Sequence, residues 1–306
     1  MKAARIHKFG GPDVIVIEDV SRPVPAPGEV LVRVSASGVG PWDAIIREGN
    51  SKVSPQPPLT LGSDLSGIIE QVGPDVTGFK KGDEVYGVTN PQFCGANAEY
   101  AIASPSMLAL KPKGLSYVEA ASVPVVAVTA EQMLFDYGRA KQGQRVLILG
   151  AAGNVGAYAV QLAAKARLHV IALAKSGDIG YVQSLGAGTV VDDQARRFED
   201  VASSVDLVLD MIGGDIRYRA AQSLRSGGTL VSVVSSDPLP TRTDVRSLFF
   251  YVEVTTDRLN KVTALFDTGE LATNVGTVLP LNDIRTAHEM LAGAPHKRGK
   301  IVLETT

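Results

Sequence analysis

The sequence contains one cysteine, Cys94, among its 306 residues. An intramolecular disulfide is therefore excluded, and a cysteine-rich structural zinc site cannot form. A reducing compartment fits such a chain, and we expect a cytoplasmic protein. The chain also lacks a large net charge, because it has 30 Lys and Arg residues and 32 Asp and Glu residues. Without a basic run, the chain has no electrostatic field that would attract nucleic acid or an anionic membrane.

A long apolar run is missing as well. The most apolar and glycine-rich stretch, LILGAAGNVGAYAVQLAAKA at 147–166, contains Asn154 and Gln161 and has Arg145 and Lys165 at its borders. A membrane span needs about 20 predominantly apolar residues, so this stretch is not predicted to be one. The N-terminal MKAARIHKFGGPDVIVIEDV lacks the apolar core of a secretory signal, and we expect it to form a first strand.

What the sequence does contain indicates two domains of different character. A chain of 306 residues exceeds the usual size of one domain. Up to about residue 115, β-type runs such as EVLVRVSASGV and DEVYGV alternate with turns rich in Pro, Gly and Asp. This pattern predicts an antiparallel, barrel-like region. From Ser116, the stretch SYVEAASVPVVAVTAEQMLFDYG has helical periodicity.

After residue 144, strand-like and helix-like segments alternate. The strands RVLILG, HVIALA, TVVD, VDLVLDMIG and TLVSVV are interspersed with the helical segments NVGAYAVQLAAKA, IGYVQSLGA and IRYRAAQSLRSGG. This alternation predicts an α/β domain with a doubly wound parallel sheet. Farther on, LFFYVEV is predicted to be a strand, RLNKVTALFDTG and PLNDIRTAHEMLAG to be helices, and KIVLE to be a last strand.

The run GAAGNVG, from Gly150 to Gly156, follows a strand-like segment and precedes a helical one. A dinucleotide-binding turn requires this context, although Ala151 stands where the G-x-G-x-x-G pattern has its first glycine. Small residues let the backbone turn tightly and let a pyrophosphate approach the helix N-terminus. A purely structural turn is the alternative, and the downstream strands and helices favour cofactor binding.

The end of the second strand of this domain discriminates between NAD and NADP. An NAD site has an Asp or Glu there, which binds the ribose hydroxyls. Here the strand ends at Ala174, and Lys175 and Ser176 follow, which can bind the additional phosphate of NADP. NADP(H) is therefore the favoured cofactor, and the nearby acids Asp178 and Asp193 are the argument for NAD.

The histidines have no metal-binding spacing relative to Cys or Glu residues. They are scattered along the chain at His7, His169, His288 and His296. His169 begins a predicted strand, and the other three are expected at the surface. A catalytic zinc ion is therefore not expected.

Several blocks of the sequence resemble one enzyme family, in the family's order. PAPGEVLVRVSASGVGPWDAIIREG, LGSDLSGIIEQVGPDVTGFKKGDEVYG, VLILGAAGNVG, VDLVLDMIGG and RGKIVLE are similar to blocks of the zinc-independent quinone oxidoreductases, the zeta-crystallin-like branch of the medium-chain dehydrogenases/reductases. The resemblance spans nearly the whole chain. It implies a GroES-like domain at 1–118 and 270–306 and a Rossmann dinucleotide-binding domain at 119–269.

The resemblance also implies roles for individual residues. Where zinc-dependent relatives have Cys and His ligands, this sequence has Gly40 and Ser63, with Asp64 following. The implied cofactor contacts are Thr129, Ala152, Gly153, Asn154, Val155, Ala174, Lys175, Ser176, Met211, Ile212, Gly213, Val234, Ser235, Phe249, Phe250, Tyr251 and Lys300.

Four positions depart from the family's pattern. The family often has Asn where Gly40 stands, and some members have Tyr where Ile45 stands. Asn154 replaces the second glycine of a usual pair, and Asp193 replaces a Tyr that is often found near the adenosine phosphate. These departures bear on substrate polarisation and on the preference for NADP(H).

The resemblance implies hydride transfer from the nicotinamide to a quinone or to the β-carbon of an α,β-unsaturated carbonyl, with a proton from solvent. The sequence nominates no catalytic acid or base. An apolar pocket for flat, conjugated substrates is expected from Gly40, Trp42, Ile45, Phe93 and Phe250. Packing in the core is the alternative for the four larger side chains.

Two other functions stay open at this point. An alcohol dehydrogenase would need zinc or a replacement base, and an NADPH-binding structural or regulatory protein would bind the cofactor without turnover. The resemblance also implies a homodimer, in which LFFYVEV at 248–254 pairs between subunits. A buried central strand is the alternative for that segment.

Overall fold

The computed structural model describes residues 1–192 and 194–305, which form two compact units. The terminal unit contains Met1–Val125 and Val254–Thr306, and the central unit contains Val126–Glu253. The two ends of the chain therefore fold together in one unit.

The described residues form strands β1 to β16 and helices α1 to α8. In chain order the strands are Lys2–Ile6, Ile15–Asp19, Val30–Val39, Leu59–Thr60, Asp64–Val72, Glu84–Val88, Tyr100–Ala103, Leu108–Leu110, Arg145–Leu149, His169–Ala174, Thr189–Asp192, Val205–Asp210, Leu224–Ser232, Arg246–Phe249, Val275–Pro280 and Lys300–Glu304. The α-helices are Pro41–Arg47, Tyr117–Ala121, Pro124–Glu131, Asn154–Lys165, Ile179–Ser184, Gly214–Gln222, Thr256–Asp267 and Ile284–Leu291. A π-helix, Gln132–Tyr137, continues α3.

The terminal unit is built mainly from antiparallel strands. Its larger sheet has the order β15-β16-β3-β5-β6-β8, with β7 also paired to β3, and a smaller sheet has the order β2-β1-β4. The C-terminal strand β16 runs antiparallel to β3, with Val302 opposite Gly38. Apolar clusters that include Ile6 and Ile69 form its core. The prediction of an antiparallel sheet in this part of the chain is confirmed.

The central unit contains a six-stranded parallel sheet in the order β11-β10-β9-β12-β13-β14. Its middle strands are buried on both faces, which explains why runs such as LVLD at 207–210 are almost continuously apolar. The chain leaves β9 on one side toward β11 and returns to β12 on the other, so the carboxyl ends of β9 and β12 border the topological switch point. The doubly wound prediction is confirmed.

Strand β14 is shorter than the segment LFFYVEV predicted as a strand. Phe250 leaves the sheet and stacks on Tyr137, with the ring centroids 4.1 Å apart. The Glu253 N–H donates to the Gln132 side chain at 3.0 Å. Strand β14 ends at Phe249, and the strand prediction for 250–254 is wrong.

Helix α7, which the sequence assigns to the Rossmann domain, belongs to the terminal unit. The buried Tyr86 donates its hydroxyl hydrogen to the Leu259 carbonyl at 2.9 Å. The Thr256 hydroxyl donates to the Leu108 carbonyl at 2.8 Å. These contacts explain why the terminal unit resumes at Val254 rather than at residue 270.

His288 is buried, and the prediction of a surface position is wrong. It lies on the inner face of α8 beside the buried Ile284 and Ala287. Its Nδ1 is 2.8 Å from Nη1 of the buried Arg47, which donates the hydrogen bond. Burial lowers the pKa of His288 to about 3, and the Arg47 charge acts in the same direction. A neutral, hydrogen-bonded imidazole is compatible with this core position.

No helix within the described ranges combines the length and the apolar character that crossing a bilayer requires. The apolar stretch at 147–166 instead contributes to β9, a turn and the 12-residue helix α4.

Candidate functional site

The glycine turn joins β9 to α4 at the carboxyl edge of the parallel sheet. Gly150 has a φ of 79°, and a Cβ on Gly156 would lie only 2.1 Å from the Gly150 carbonyl oxygen. Gly153 caps α4 and has no side chain to occupy the N–H groups of the first turn. These features fit a dinucleotide pyrophosphate, because the backbone approach is close and the helix N-terminus is open. Of the predicted contacts at 152–155, Ala152 and Gly153 lie in this turn, and Asn154 and Val155 begin α4.

The adenosine side of the predicted site lies at the end of β10. The parallel register places Asp192, the last residue of β11, beside Ala174. The Ser176 hydroxyl donates to the Asp192 carboxylate, and this bond lowers the pKa of Asp192. Lys175 is exposed. The sequence prediction did not include Asp192, although a polar residue at the end of the strand TVVD could have indicated it. Asp193, which the prediction did mention, lies outside the described residues.

Two loops predicted to contact the nicotinamide share one buried support. Asp210, at the end of β12, accepts hydrogen bonds from the N–H groups of Ile212 at 3.0 Å and Gly213 at 2.8 Å. The Ser232 hydroxyl, at the end of β13, donates to the same carboxylate at 2.8 Å. We call Asp210 and Ser232 the strand-end brace.

The strand-end brace also holds the second loop. The Ser232 oxygen accepts the N–H groups of Val234 at 3.2 Å and Ser235 at 3.0 Å. Both brace side chains are fully buried. The structure thus brings together the predicted segments 211–213 and 234–235 through two residues that the sequence prediction missed. Polar residues at the carboxyl ends of apolar strands are the signal that could have found them.

Arg217 supports the strand-end brace from α6. Its guanidinium is 1% exposed, and Nε lies 3.6 Å from the Asp210 carboxylate. Nη2 donates to the Asp237 carbonyl at 2.6 Å and to the Ser247 hydroxyl at 3.0 Å. A buried guanidinium requires such a counter-charge. Arg217 therefore ties the brace to the loop after β13 and to β14.

The remaining predicted cofactor residues of the central unit differ in their solvent exposure. Thr129, on α3, is buried, whereas Tyr251 is 73% exposed. The rings of Phe249 and Tyr251 meet edge to face at 5.1 Å. Phe250, also predicted for the substrate pocket, is covered by Tyr137. Their roles toward cofactor and substrate stay predictions.

In the terminal unit, Gly40 and Trp42 form the start of α1. A Cβ on Gly40 would lie 2.4 to 2.6 Å from three ring carbons of Trp42. The indole therefore occupies the space that any side chain at position 40 would need. Trp42 Nε1–H donates to the Ser63 hydroxyl oxygen at 2.8 Å. Ile45, three residues later on the same helix, is 46% exposed.

Phe93 packs on the same apolar cluster as Trp42. Its φ of 58° lies in the left-handed region, and its N–H donates to the Asn90 carbonyl at 3.0 Å. The Thr89 hydroxyl and the Asn90 side chain both donate to the Cys94 carbonyl at 2.9 Å. Such strained positions of bulky residues cluster at functional sites. Four predicted pocket residues thus lie in the terminal unit, and Phe250 lies in the central unit.

A buried charge cluster, consisting of Asp43, Asp64 and Lys300, lies beside the indole. Lys300 Nζ donates to Asp64 at 2.7 Å and lies 4.0 Å from the centroid of the Trp42 ring. Asp43 Oδ2 accepts the Gly40 N–H at 2.8 Å, whereas Asp43 Oδ1 has no hydrogen-bond partner within the described ranges. The three side chains are at most 1% exposed. Lys300 is predicted to contact the cofactor, and that role stays a prediction.

Two carboxylates lie in this cluster with one ammonium group, which pairs with Asp64. Burial raises the pKa of Asp43 to about 7, and the nearby Asp64 adds to this effect while Lys300 opposes it. Burial also raises the pKa of Asp64, against the attraction of Lys300. A carboxyl group that remains protonated near neutral pH avoids a second buried negative charge. The cluster can therefore hold a proton.

The residues at positions 40 and 63 do not fit a zinc ion. Gly40 has no side chain that could bind a metal, and the Ser63 hydroxyl oxygen already accepts the Trp42 N–H. Burial raises the pKa of the Cys94 thiol, which disfavours the thiolate that a metal would bind. Among the described residues, no group of three or more His, Cys, Asp and Glu side chains is arranged to hold a metal ion.

Two family models match the chain. The model described as "Alcohol dehydrogenase GroES-like domain" matches residues 26–136. The model described as "Zinc-binding dehydrogenase" matches residues 185–303. The second description names a metal for which Gly40 and Ser63 provide no suitable ligands.

Individual proteins match over much greater lengths. "Quinone oxidoreductase" of Sus scrofa is 30% identical over 322 residues, which cover 99% of this chain and 97% of that protein. "2-methylene-furan-3-one reductase" of Solanum lycopersicum is 34% identical over 241 residues, which cover 76% of this chain and 61% of that protein. The solved structure of the quinone oxidoreductase from Coxiella burnetii has 30% identity and a TM-score of 0.92, and covers 100% of this chain and 99% of its own. The resemblance found in the sequence is confirmed.

Proposed function

Because the chain belongs to the quinone oxidoreductase family of the medium-chain dehydrogenases/reductases, we propose that it reduces quinones or α,β-unsaturated carbonyls with NADP(H) and without zinc. As a family member it is an oxidoreductase that uses a nicotinamide cofactor and a small-molecule substrate. One observation supports the proposal: the close-packed glycine turn before α4 fits a pyrophosphate, whereas Gly40 and Ser63 offer no fitting metal ligands.

The central unit would bind the cofactor through backbone groups. A bound nicotinamide cofactor supplies the hydride. The turn at 150–156 would receive the pyrophosphate at the α4 N-terminus, and the strand-end brace would fix the loops at 211–213 and 234–235. Thr129, Phe249, Phe250 and Tyr251 are further proposed cofactor contacts of this unit. These groups orient the reactants and exclude water.

The proposed preference for NADP(H) depends on the end of β10. Ala174 has no carboxylate to bind the ribose hydroxyls of NAD. The exposed Lys175 can pair with a 2′-phosphate. Because Asp192 accepts a hydrogen bond from the Ser176 hydroxyl, Lys175 is the principal group that would recognise this phosphate.

The terminal unit would bind the acceptor through apolar surface. Trp42, Ile45 and Phe93 suit flat, conjugated molecules, which need few polar anchors. Asp43 and Asp64 are fully buried and cannot reach a substrate directly. The proton that completes the reduction is therefore proposed to come from solvent.

We also propose a cytoplasmic homodimer. The single cysteine supports a reducing compartment. Strand β14 lies at the edge of its sheet, and an unpaired edge offers backbone groups to a second copy. Light scattering of the purified protein would distinguish a dimer from a monomer.

The proposed activity is tested by following the loss of reduced-nicotinamide absorbance. The protein, analysed for metals and treated with a chelator, is mixed with NADPH or NADH and with ortho-quinones, para-quinones or conjugated enones. We expect turnover with NADPH that the chelator does not reduce. Chelator-sensitive oxidation of secondary alcohols would indicate an alcohol dehydrogenase instead. Tight NADPH binding without turnover of any acceptor would support the cofactor-binding protein.

A further inference from the structure

The terminal unit contains a surface cavity that shares no residue with the candidate functional site. Its volume is about 570 Å³, and sites for small molecules have volumes of about 300–1,000 Å³. The segment between β2 and β3, the end of β5 and the loop before β6 border it. The lining residues include Arg22, Glu70, Gln71, Phe79, Lys80 and Lys81. We call this space the β5–β6 cavity.

Positive charge prevails in the β5–β6 cavity, because three cationic residues and one carboxylate line it, which gives a formal charge of +2. Arg22 and Lys81 each lie 3.3 Å from the Glu70 carboxylate. Hydrogen bonds from Lys81 and Arg22 lower the pKa of Glu70, so this group stays ionised at neutral pH. The Lys80 ammonium group has no acceptor among the described residues. The charges of the cavity are therefore complementary to an anion.

The cationic groups of the cavity are held in place before any ligand binds. The Arg22 guanidinium lies 4.1 Å from the centroid of the Tyr100 ring, in addition to its pairing with Glu70. The loop of Lys80 is closed by two hydrogen bonds, in which the Lys80 N–H donates to the Asp83 carboxylate at 2.9 Å and the Asp83 N–H donates to the Lys80 carbonyl at 3.2 Å. Groups that are already ordered lose less freedom on binding.

One wall of the β5–β6 cavity is apolar. Val72 and Phe79 both line the cavity, and both are half-buried because they pack on the core cluster of the larger sheet. The Phe79 ring therefore borders open space, and such a ring attracts a second flat ring. Gln71, which is exposed and makes no side-chain hydrogen bond within the described ranges, adds a polar group to the rim.

We propose that the β5–β6 cavity binds a small phosphate monoester that carries a flat ring. A phosphate monoester has close to two negative charges at neutral pH, which balance the formal charge of the cavity. The planar guanidinium of Arg22 and the Lys80 ammonium bind the phosphate oxygens. The ring packs on Phe79 and Val72. The site lies apart from the proposed reductase chemistry and does not depend on it.

The test is calorimetric titration of the full-length protein with phenyl phosphate. We expect a Kd of about 0.1–1 mM, and binding of benzoate and of inorganic phosphate that is weaker by about fivefold or more. Benzoate lacks the second charge, and inorganic phosphate lacks the ring. Lys80→Ala should raise the Kd for phenyl phosphate about three- to fivefold, as expected for one exposed charge pair. Lys8→Ala, at an exposed lysine of the same unit, should leave it unchanged.

A variant that strengthens binding guards against effects of misfolding. Glu70→Gln removes the carboxylate that competes for Arg22 and Lys81, and should lower the Kd for phenyl phosphate about three- to fivefold. A partly unfolded variant would bind more weakly. Lys175→Ala removes the cation that is proposed to bind the cofactor phosphate, so an unchanged Kd in this variant shows that phenyl phosphate binds elsewhere.

Each outcome decides for or against the site. Weaker binding in Lys80→Ala together with tighter binding in Glu70→Gln supports the β5–β6 cavity, whether or not the protein reduces any acceptor. No measurable binding, or a Kd that neither variant changes, overturns the proposal. Equal affinities for phenyl phosphate and inorganic phosphate contradict the role of Phe79. A loss of binding in Lys175→Ala would place the ligand at the end of β10 instead.

Discussion

Both units bury carboxylates near predicted site residues, but they stabilise them differently. In the central unit, Asp210 accepts hydrogen bonds from two backbone N–H groups and one hydroxyl, with Arg217 nearby. In the terminal unit, Lys300 pairs with Asp64, and one oxygen of the nearby Asp43 has no partner within the described ranges. The strand-end brace is therefore a geometric device that fixes loops. The buried charge cluster is an electrostatic one, whose state depends on a proton.

The largest effect is expected from removing the cation of the charge cluster. Lys300→Met leaves Asp64 buried and unpaired, and should lower the free energy of unfolding by about 3–5 kcal/mol. Urea denaturation measures this loss. Lys300→Met combined with Asp64→Asn removes the unpaired charge and should recover much of the stability. A single variant as stable as the wild type would show that the ion pair contributes little.

The pH dependence of stability tests the proton held by Asp43. The folded protein retains this proton up to about pH 7, whereas the unfolded chain releases it near the ordinary pKa of 3.8. The free energy of unfolding contributed by this group therefore falls as the pH rises through that window, by at most about 4 kcal/mol. Asp43→Asn cannot ionise, so stability curves at several pH values should lose this slope. Parallel curves for the two proteins would contradict the assignment.

Substitutions in the strand-end brace should mainly affect the two loops that it holds. Asp210→Ala removes three hydrogen bonds and leaves the buried Arg217 guanidinium without its counter-charge, and should cost about 3 kcal/mol in unfolding free energy. Ser232→Ala should cost about 1 kcal/mol, because Asp210 retains its backbone donors. Calorimetric titration should show weaker NADP+ binding in both variants, more so in Asp210→Ala. Wild-type cofactor affinity in a folded Asp210→Ala variant would show that the loops do not depend on the brace.

The smallest effect is expected at the exposed end of β10. Lys175→Ala should lower kcat/KM for NADPH about five- to tenfold, because one exposed charge pair contributes about 1 kcal/mol. The value for NADH should change less than about twofold, since NADH lacks the 2′-phosphate. Lys8→Ala, at another exposed lysine, is the matched control. Equal losses with both cofactors would remove Lys175 from phosphate recognition.

Local patterns account for the part of the molecule that the sequence predicts correctly. Apolar strands and glycine spacing are patterns of residues close together in sequence. The strands predict the parallel sheet, and the glycines at 150 and 156 predict the tight turn. The end of β14 is mispredicted, and the segment beyond it contacts a distant part of the chain, since the Glu253 N–H bonds to Gln132, 121 positions away in sequence. His288 is mispredicted because its partner, Arg47, is 241 positions distant.

The polar supports of the candidate site are the least predictable part. Lys300 meets Asp64 across 236 positions, and Ser232 meets Asp210 across 22. No short motif links such residues, because strand order in the sheet brings them together. Trp42 is predicted as a pocket residue, but its bond to Ser63 follows only from the fold.

The most direct test of metal-free hydride transfer uses NADPH that carries deuterium on the transferable position of nicotinamide C4. Metal-depleted protein is incubated with this cofactor and a conjugated enone, and the product is examined by NMR. From metal-free hydride transfer we expect a saturated ketone with deuterium on the β-carbon. An allylic alcohol with deuterium on the carbinol carbon, or a reaction that requires added zinc, would contradict it.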